Sequence, residues 1–126
     1  MKYQIIIKTS VRDRPRDHEM SAAILLAGHF RSDVVFLRSG SQKTPDLQVG
    51  DEKWEIKSPL GNGKKTMENN LRAARKQSKN IVIDLSRCKM NYYKAVSRIN
   101  FYLKTEAHHI KHLKIITKSR KVIDIT

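Results

Sequence analysis

Apolar residues follow two rhythms along this chain of 126 residues. Short β-branched or alternating runs read as strands, and stretches with apolar positions every three or four residues read as helices. Tyr3–Lys8 is a continuous run of the first kind and predicts a strand. Arg12-Asp13-Arg14-Pro15-Arg16 reads as a charged linker, with Pro15 breaking regular structure. Asp17 is placed to cap a helix running to about Phe30, whose last turn Gly28 weakens. Glu19, Ala23, Leu26 and Phe30 share one side of that helix, so Glu19 sits on or beside an apolar stripe. A first-turn glutamate complementing the helix dipole accounts for it as readily as a functional role does.

Asp33–Leu37 predicts a short buried strand, and Arg38–Lys43 a polar loop. Leu47–Val49 and Trp54–Ile56 then flank Gly50-Asp51-Glu52, a turn-like spacer, and read as a β-hairpin. Pro59–Lys65 is a basic, glycine-rich turn. It fails the P-loop pattern, because Lys65 follows Gly63-Lys64 and Ser58 stands where the first glycine belongs. Thr66 can cap a helix to about Lys79, with Met67, Leu71, Ala74 and Ser78 inward and Asn80 as its stop. Ile81–Leu85 predicts a buried strand, and Asn91–Lys104 an amphipathic helix with Tyr92, Ala95, Val96, Ile99 and Leu103 on one side. Leu113–Thr117 and Val122–Ile125 predict a closing hairpin. Strands interleaved with helices imply one α/β domain over residues 1–126, with a mixed central β-sheet flanked by helices.

Charge narrows the function. Lys and Arg total 26 against 12 Asp and Glu, a net +14. Such an excess favours a polyanionic partner, nucleic acid before anionic membrane. No stretch combines a wide bulky apolar face with a lysine-rich one, so no membrane partner is expected. Cys88 stands alone and cannot form an internal disulfide, and it reads as structural. The N-terminal apolar run is too short for a signal peptide, and no stretch approaches the ~18 apolar residues of a membrane span. Because the chain opens on a Met, no delivery module is expected, which weighs against an exported toxin. A cytoplasmic protein is expected, or one delivered into a target-cell cytoplasm from a toxin system.

The hairpin carries the candidate chemistry. Side chains alternate along a strand, so Glu55 and Lys57 face away from Trp54 and Ile56. Asp46, on the partner strand, can lie near Glu55. Two carboxylates and the carbonyl of Ile56 are hard oxygen donors suited to a magnesium-type ion, and Glu19 could approach from the first helix. Lys57 would then orient or help deprotonate a water, or stabilise charge on phosphorus. A surface hairpin with a Glu–Lys pair is the plainer alternative. The glycine-rich loop with Lys64 and Lys65, and the helix with Arg72, Arg75, Lys76 and Lys79, could touch a nucleic-acid backbone.

Thr44-Pro45-Asp46 with Trp54-Glu55-Ile56-Lys57-Ser58-Pro59 resembles the signature of the PD-(D/E)XK nuclease superfamily. His18-Glu19, Asp33–Leu37, the Asp46 and Glu55–Pro59 segments and Gln77–Leu85 together resemble a narrower group. That group is the C-terminal tRNA-nuclease toxin domains of contact-dependent growth inhibition proteins. The resemblance spans roughly residues 17–86 and implies a restriction-endonuclease-like core and a metal-dependent endonuclease. It casts Glu19, Asp46 and Glu55 as ligands of Mg²⁺ or Mn²⁺, ahead of Zn²⁺. It makes Lys57 the catalytic lysine, places Gln77 near the site and Ser58 behind it. The substrate it implies is tRNA, with DNA open, and it fits an acidic immunity-type inhibitor as a partner. A monomer and a homodimer are both compatible. A non-catalytic nucleic-acid-binding accessory protein is the rival reading. His108-His109-Ile110-Lys111-His112 reads as a solvated junction, since no Cys or carboxylate stands at ligand spacing. Tyr92, Tyr93 and Tyr102 either stack on bases or pack in the core.

Overall fold

Strands and helices alternate as the pattern predicts. The computed structural model describes residues 2–37, 45–106 and 109–126. The predicted loop over residues 38–43, Thr44 of the motif and His108 of the histidine run lie outside the described residues. The elements are β1 (Ile5–Ile7), α1 (Asp17–Phe30), β2 (Val34–Phe36), β3 (Leu47–Val49), β4 (Glu52–Lys57), α2 (Thr66–Ala74), β5 (Asn80–Asp84), α3 (Tyr92–Thr105), β6 (His112–Ile116) and β7 (Val122–Asp124).

The strands form one sheet in the order β1-β2-β3-β4-β5-β6-β7. It is mixed: β1–β2, β4–β5 and β5–β6 run parallel, and β2–β3, β3–β4 and β6–β7 antiparallel. Helices cover both faces. On one face α1 buries Ala22, Ala23, Leu26 and Ala27 against Val34, Leu47, Trp54 and Val82. On the other, α2 and α3 bury Met67, Leu71, Ile99 and Tyr102 against Ile81, Ile83, Leu113 and Ile115. Every residue of β5 is buried, as a strand covered on both faces requires. No helix among the described residues is long and apolar enough to cross a membrane.

Several boundaries differ from the periodicity. Arg16, not Asp17, is the N-cap of α1, and Lys65, not Thr66, that of α2. The hairpin loop is two residues, Gly50 and Asp51, because Val49 pairs with Glu52. Gly50 takes φ 59°, which glycine adopts without steric penalty. The largest difference is at the end of α2. It stops at Ala74 rather than near Lys79. Ser78 Oγ and Asn80 Nδ2 both donate to the Lys53 carbonyl (2.7 and 3.1 Å), and these tertiary bonds turn the chain toward β5. Of the tyrosines, Tyr102 is core, Tyr92 is half-buried and Tyr93 is exposed.

Candidate active site

The site lies where β4 changes partners. Its first half, Glu52–Trp54, pairs with β3, and its second half, Glu55–Lys57, pairs with β5. At the changeover the edge of β4 facing the end of β3 is free of strand pairing. The side chain of Asp46 occupies that gap: Oδ2 accepts from the Ile56 backbone N–H at 3.0 Å. The backbone of Asp46 is fixed from the other side, its carbonyl accepting from Leu37 N–H at 3.0 Å. Asp46 is thus clamped between β2 and β4, and its orientation does not depend on a flexible rotamer.

Alternation along β4 does the rest. Trp54 is buried against α1, where it meets Phe30 (centroids 5.2 Å apart). Glu55 therefore faces the α2 side, in register with Ile81, and Lys57 in register with Ile83. Glu55 is only 5% exposed, and its Oε2 lies 3.4 Å from Lys57 Nζ. Its other oxygen, Oε1, is buried without a hydrogen-bond partner. Burial and, after it, the negative charge of Asp46 push the Glu55 carboxyl up to about 7, against the pull of Lys57. Asp46 is also raised by burial, with the Ile56 N–H opposing. A buried and a half-buried carboxylate that resist ionising together form a donor pair that a divalent cation would complete.

Glu19 is placed differently. Its Oε1 accepts from the Arg16 N–H at 2.9 Å, the first-turn role that its position predicts. It also lines, with Asp46, a cavity of about 120 Å³ that Asp13, Pro15 and Leu37 help to wall. That volume holds several waters. Glu55 is not among the lining residues. Among the described residues no three His, Cys, Asp or Glu side chains stand close enough together to grip an ion. The expected convergence of Glu19, Asp46 and Glu55 is therefore reduced to a close pair, Asp46 and Glu55, with Glu19 across the cavity.

Gln77 is half-buried in the turn after α2, its backbone N–H donating to the Ala74 carbonyl at 2.9 Å. The following residues, Ser78 and Asn80, are tied to Lys53, two positions before Glu55. Lys64, Lys65, Lys76 and Lys79 are exposed. Arg72 and Arg75 have internal partners. Arg72 Nη2 contacts both carboxylate oxygens of Glu106 (2.9 and 3.0 Å), and Arg75 Nη1 donates to the Glu106 carbonyl at 2.8 Å. Both guanidiniums lie over the Tyr102 ring. These two arginines join α2 to the end of α3, a task that one-dimensional spacing does not reveal. The segment that reads as a linker, by contrast, walls the cavity beside Asp46. Its signal was the density of arginines directly before the helix that carries Glu19.

The profile of the contact-dependent growth inhibition CdiA C-terminal domain matches residues 43–122. The chain belongs to that family. The matched region includes Asp46, Glu55, Lys57 and Gln77, and leaves out Glu19. No curated protein matches the chain. Among solved structures, a chain of the "CdiA-CT/CdiI toxin and immunity complex from Burkholderia pseudomallei" is similar in fold, with a TM-score of 0.68 at 16% identity. The similarity covers 98% of this chain and 98% of that one. That likeness in fold extends over the whole sheet and all three helices, β1 and α1 included.

Proposed function

We propose that this CdiA C-terminal domain is a toxin-type, metal-dependent endonuclease of the PD-(D/E)XK kind that hydrolyses nucleic-acid phosphodiester bonds. The observation that carries this reading is the pairing of buried Glu55 with half-buried Asp46 beside Lys57, at the point where β4 leaves β3. A purely structural hairpin gains nothing by setting a buried carboxylate against a second, half-buried one. Asp46, Glu55 and the Ile56 carbonyl would hold Mg²⁺ or Mn²⁺, ions that commonly use one or two carboxylates and keep several waters. When bound, the cation would neutralise phosphate charge and acidify a water. Glu19, across the cavity, would reach it through water rather than directly.

Lys57 supplies the remaining chemistry. Held by Glu55, its ammonium is aimed along the α2-side surface of β4, where it stabilises negative charge developing on a phosphoryl oxygen or orients the attacking water. Gln77 is assigned a polar supporting place on resemblance to the motif. Exposed Lys64, Lys65, Lys76 and Lys79 provide backbone attraction without sequence choice. Arg72 and Arg75 serve the fold first.

tRNA is the preferred substrate class and DNA the alternative. An acidic immunity-type protein is the expected protein partner. The similar Burkholderia pseudomallei chain belongs to a toxin and immunity complex, and a net charge of +14 favours an acidic surface. Delivery into a target-cell cytoplasm follows from the same family reading. The test is incubation of total tRNA and of plasmid DNA with the protein and Mg²⁺ or Mn²⁺. Cleavage by the wild type that falls at least about 100-fold in Glu55→Gln and in Lys57→Ala is expected. Cleavage unchanged by Glu55→Gln, or none with either metal, overturns the reading.

A further inference from the structure

The β1–α1 connection carries more positive charge than a linker needs, and the structure gives it a shape. Arg12, Asp13, Arg14, Arg16, His18 and Glu19 line an open cleft of about 370 Å³. Asp13 and Glu19 also line the smaller cavity that contains Asp46, so the two spaces are neighbours. The basic cleft therefore lies beside the cavity that Asp46 lines.

The cleft is built rather than merely crowded. Asp13 is fixed by Ser10, its N–H donating to the Ser10 carbonyl (3.1 Å) and its Oδ2 accepting from Ser10 Oγ (3.1 Å). That turn sets Arg12 and Arg14 on either side of it. Arg16 is the N-cap of α1, and its side chain has no acceptor to offer the first-turn N–H groups. Glu19 Oε1 takes the Arg16 N–H, and Arg16 itself caps none of the other first-turn N–H groups of this 14-residue helix. The ion pairs among the described residues are Lys57–Glu55, Arg72–Glu106 and Lys114–Asp124. None of them uses Arg12, Arg14 or Arg16, although Asp13, Asp17 and Glu19 are near in sequence.

We propose that this cleft is the subsite for the phosphodiester backbone next to the scissile phosphate. Arg12, Arg14 and Arg16 bind neighbouring phosphates, and the strand passes from them over Glu19 into the Asp46–Glu55 site. Guanidinium groups suit this task, because their planar fork meets phosphate oxygens in pairs. The inference rests on the nuclease reading for what lies next door. The arginines act on position and affinity, not on the bond broken.

The experiment measures binding of a fluorescein-labelled RNA hairpin and of a DNA duplex to the full chain in EDTA, across a salt series. The variants are Arg12→Gln/Arg14→Gln/Arg16→Gln and, with the same change in charge on α3, Lys94→Gln/Arg98→Gln/Lys104→Gln. The slope of log affinity against log salt should become shallower by about 2 to 3 units in the cleft variant, and by under 1 in the α3 variant. Loss on either polymer supports the cleft, and the polymer that shows it names the substrate. Equal losses in the two variants, or an unchanged slope in the first, overturn it. Arg12→Gln/Arg14→Gln, which keeps the residue at the helix cap, replaces the triple variant if circular dichroism shows that one unfolded. Its expected change is about 1.5 units, and no change overturns the proposal as well. Metal-dependent cleavage by the wild type tests the nuclease reading separately, so either idea can fail alone.

Discussion

Glu55 is held near neutral charge by two causes that a bound cation would reverse: burial beneath the α2 side of the sheet and the facing carboxylate of Asp46. Its folded value, about 7, lies above its ordinary 4.5. Between those values the folded chain binds the extra proton, so stability falls as pH rises through that window. In metal-free buffer Glu55→Gln should therefore melt about 3–6 °C above the wild type at pH 8, and level with it at pH 5. Mg²⁺ should raise the melting temperature of the wild type at pH 8 and leave that of the variant unchanged. Thermal scans at the two pH values decide it, and a variant that is less stable at pH 8 would show that the carboxylate is satisfied without metal. If the chain is the proposed metal-dependent nuclease, the same titration should make cation binding and cleavage rise between pH 6 and 8. At this scale much was legible beforehand. Alternation alone put Glu55 and Lys57 opposite Trp54, and the hairpin put Asp46 within reach. The Ile56 N–H that fixes Asp46 was not legible, because it depends on β4 changing partners.

Elements were legible wherever one face was continuously apolar, and less so where tertiary bonds ended them. β5 and α3 announce themselves, the first by an unbroken apolar run and the second by Ala95 and Ile99 at helical spacing. The end of α2 does not, since Arg75, Lys76 and Gln77 are good helix formers with no glycine or proline among them. Ser78 and Asn80 end it by bonding to Lys53, a contact 25 and 27 residues away in sequence. The caps differ in a testable way. Asn91 Oδ1 accepts from the N–H groups of Tyr93 (2.9 Å) and Lys94 (3.4 Å), whereas Arg16 and Lys65 offer no acceptor. Asn91→Ala should cost about 1 kcal/mol in urea unfolding. Leu71→Ala, fully buried between α2 and the sheet, should cost about 2–5 kcal/mol. Arg72→Ala should cost far less than Leu71→Ala, because its pair with Glu106 is exposed on both sides. An Arg72→Ala loss as large as that of Leu71→Ala would mean that the join between α2 and α3, not the core beneath it, governs stability.

Charge acts over the molecule as a whole. Of the lysines and arginines among the described residues, three are in ion pairs, so most of their positive charge is solvated and free to exchange counterions with a polyanion. The proposed reacting groups are different: Glu55 is buried and Lys57, its side chain 29% exposed, is held against it, so salt screens them less than the open surface. Salt should therefore separate capture from chemistry. With about four or five phosphates neutralised, raising salt from 50 to 200 mM should raise KM for tRNA about 100-fold. The rate at saturating substrate should change less than threefold. Initial rates over a substrate series at each salt concentration measure both quantities. If kcat falls in step while KM holds, the solvated charge shapes the reacting centre itself, and the division between a basic surface that gathers substrate and a buried pair that cuts it is wrong.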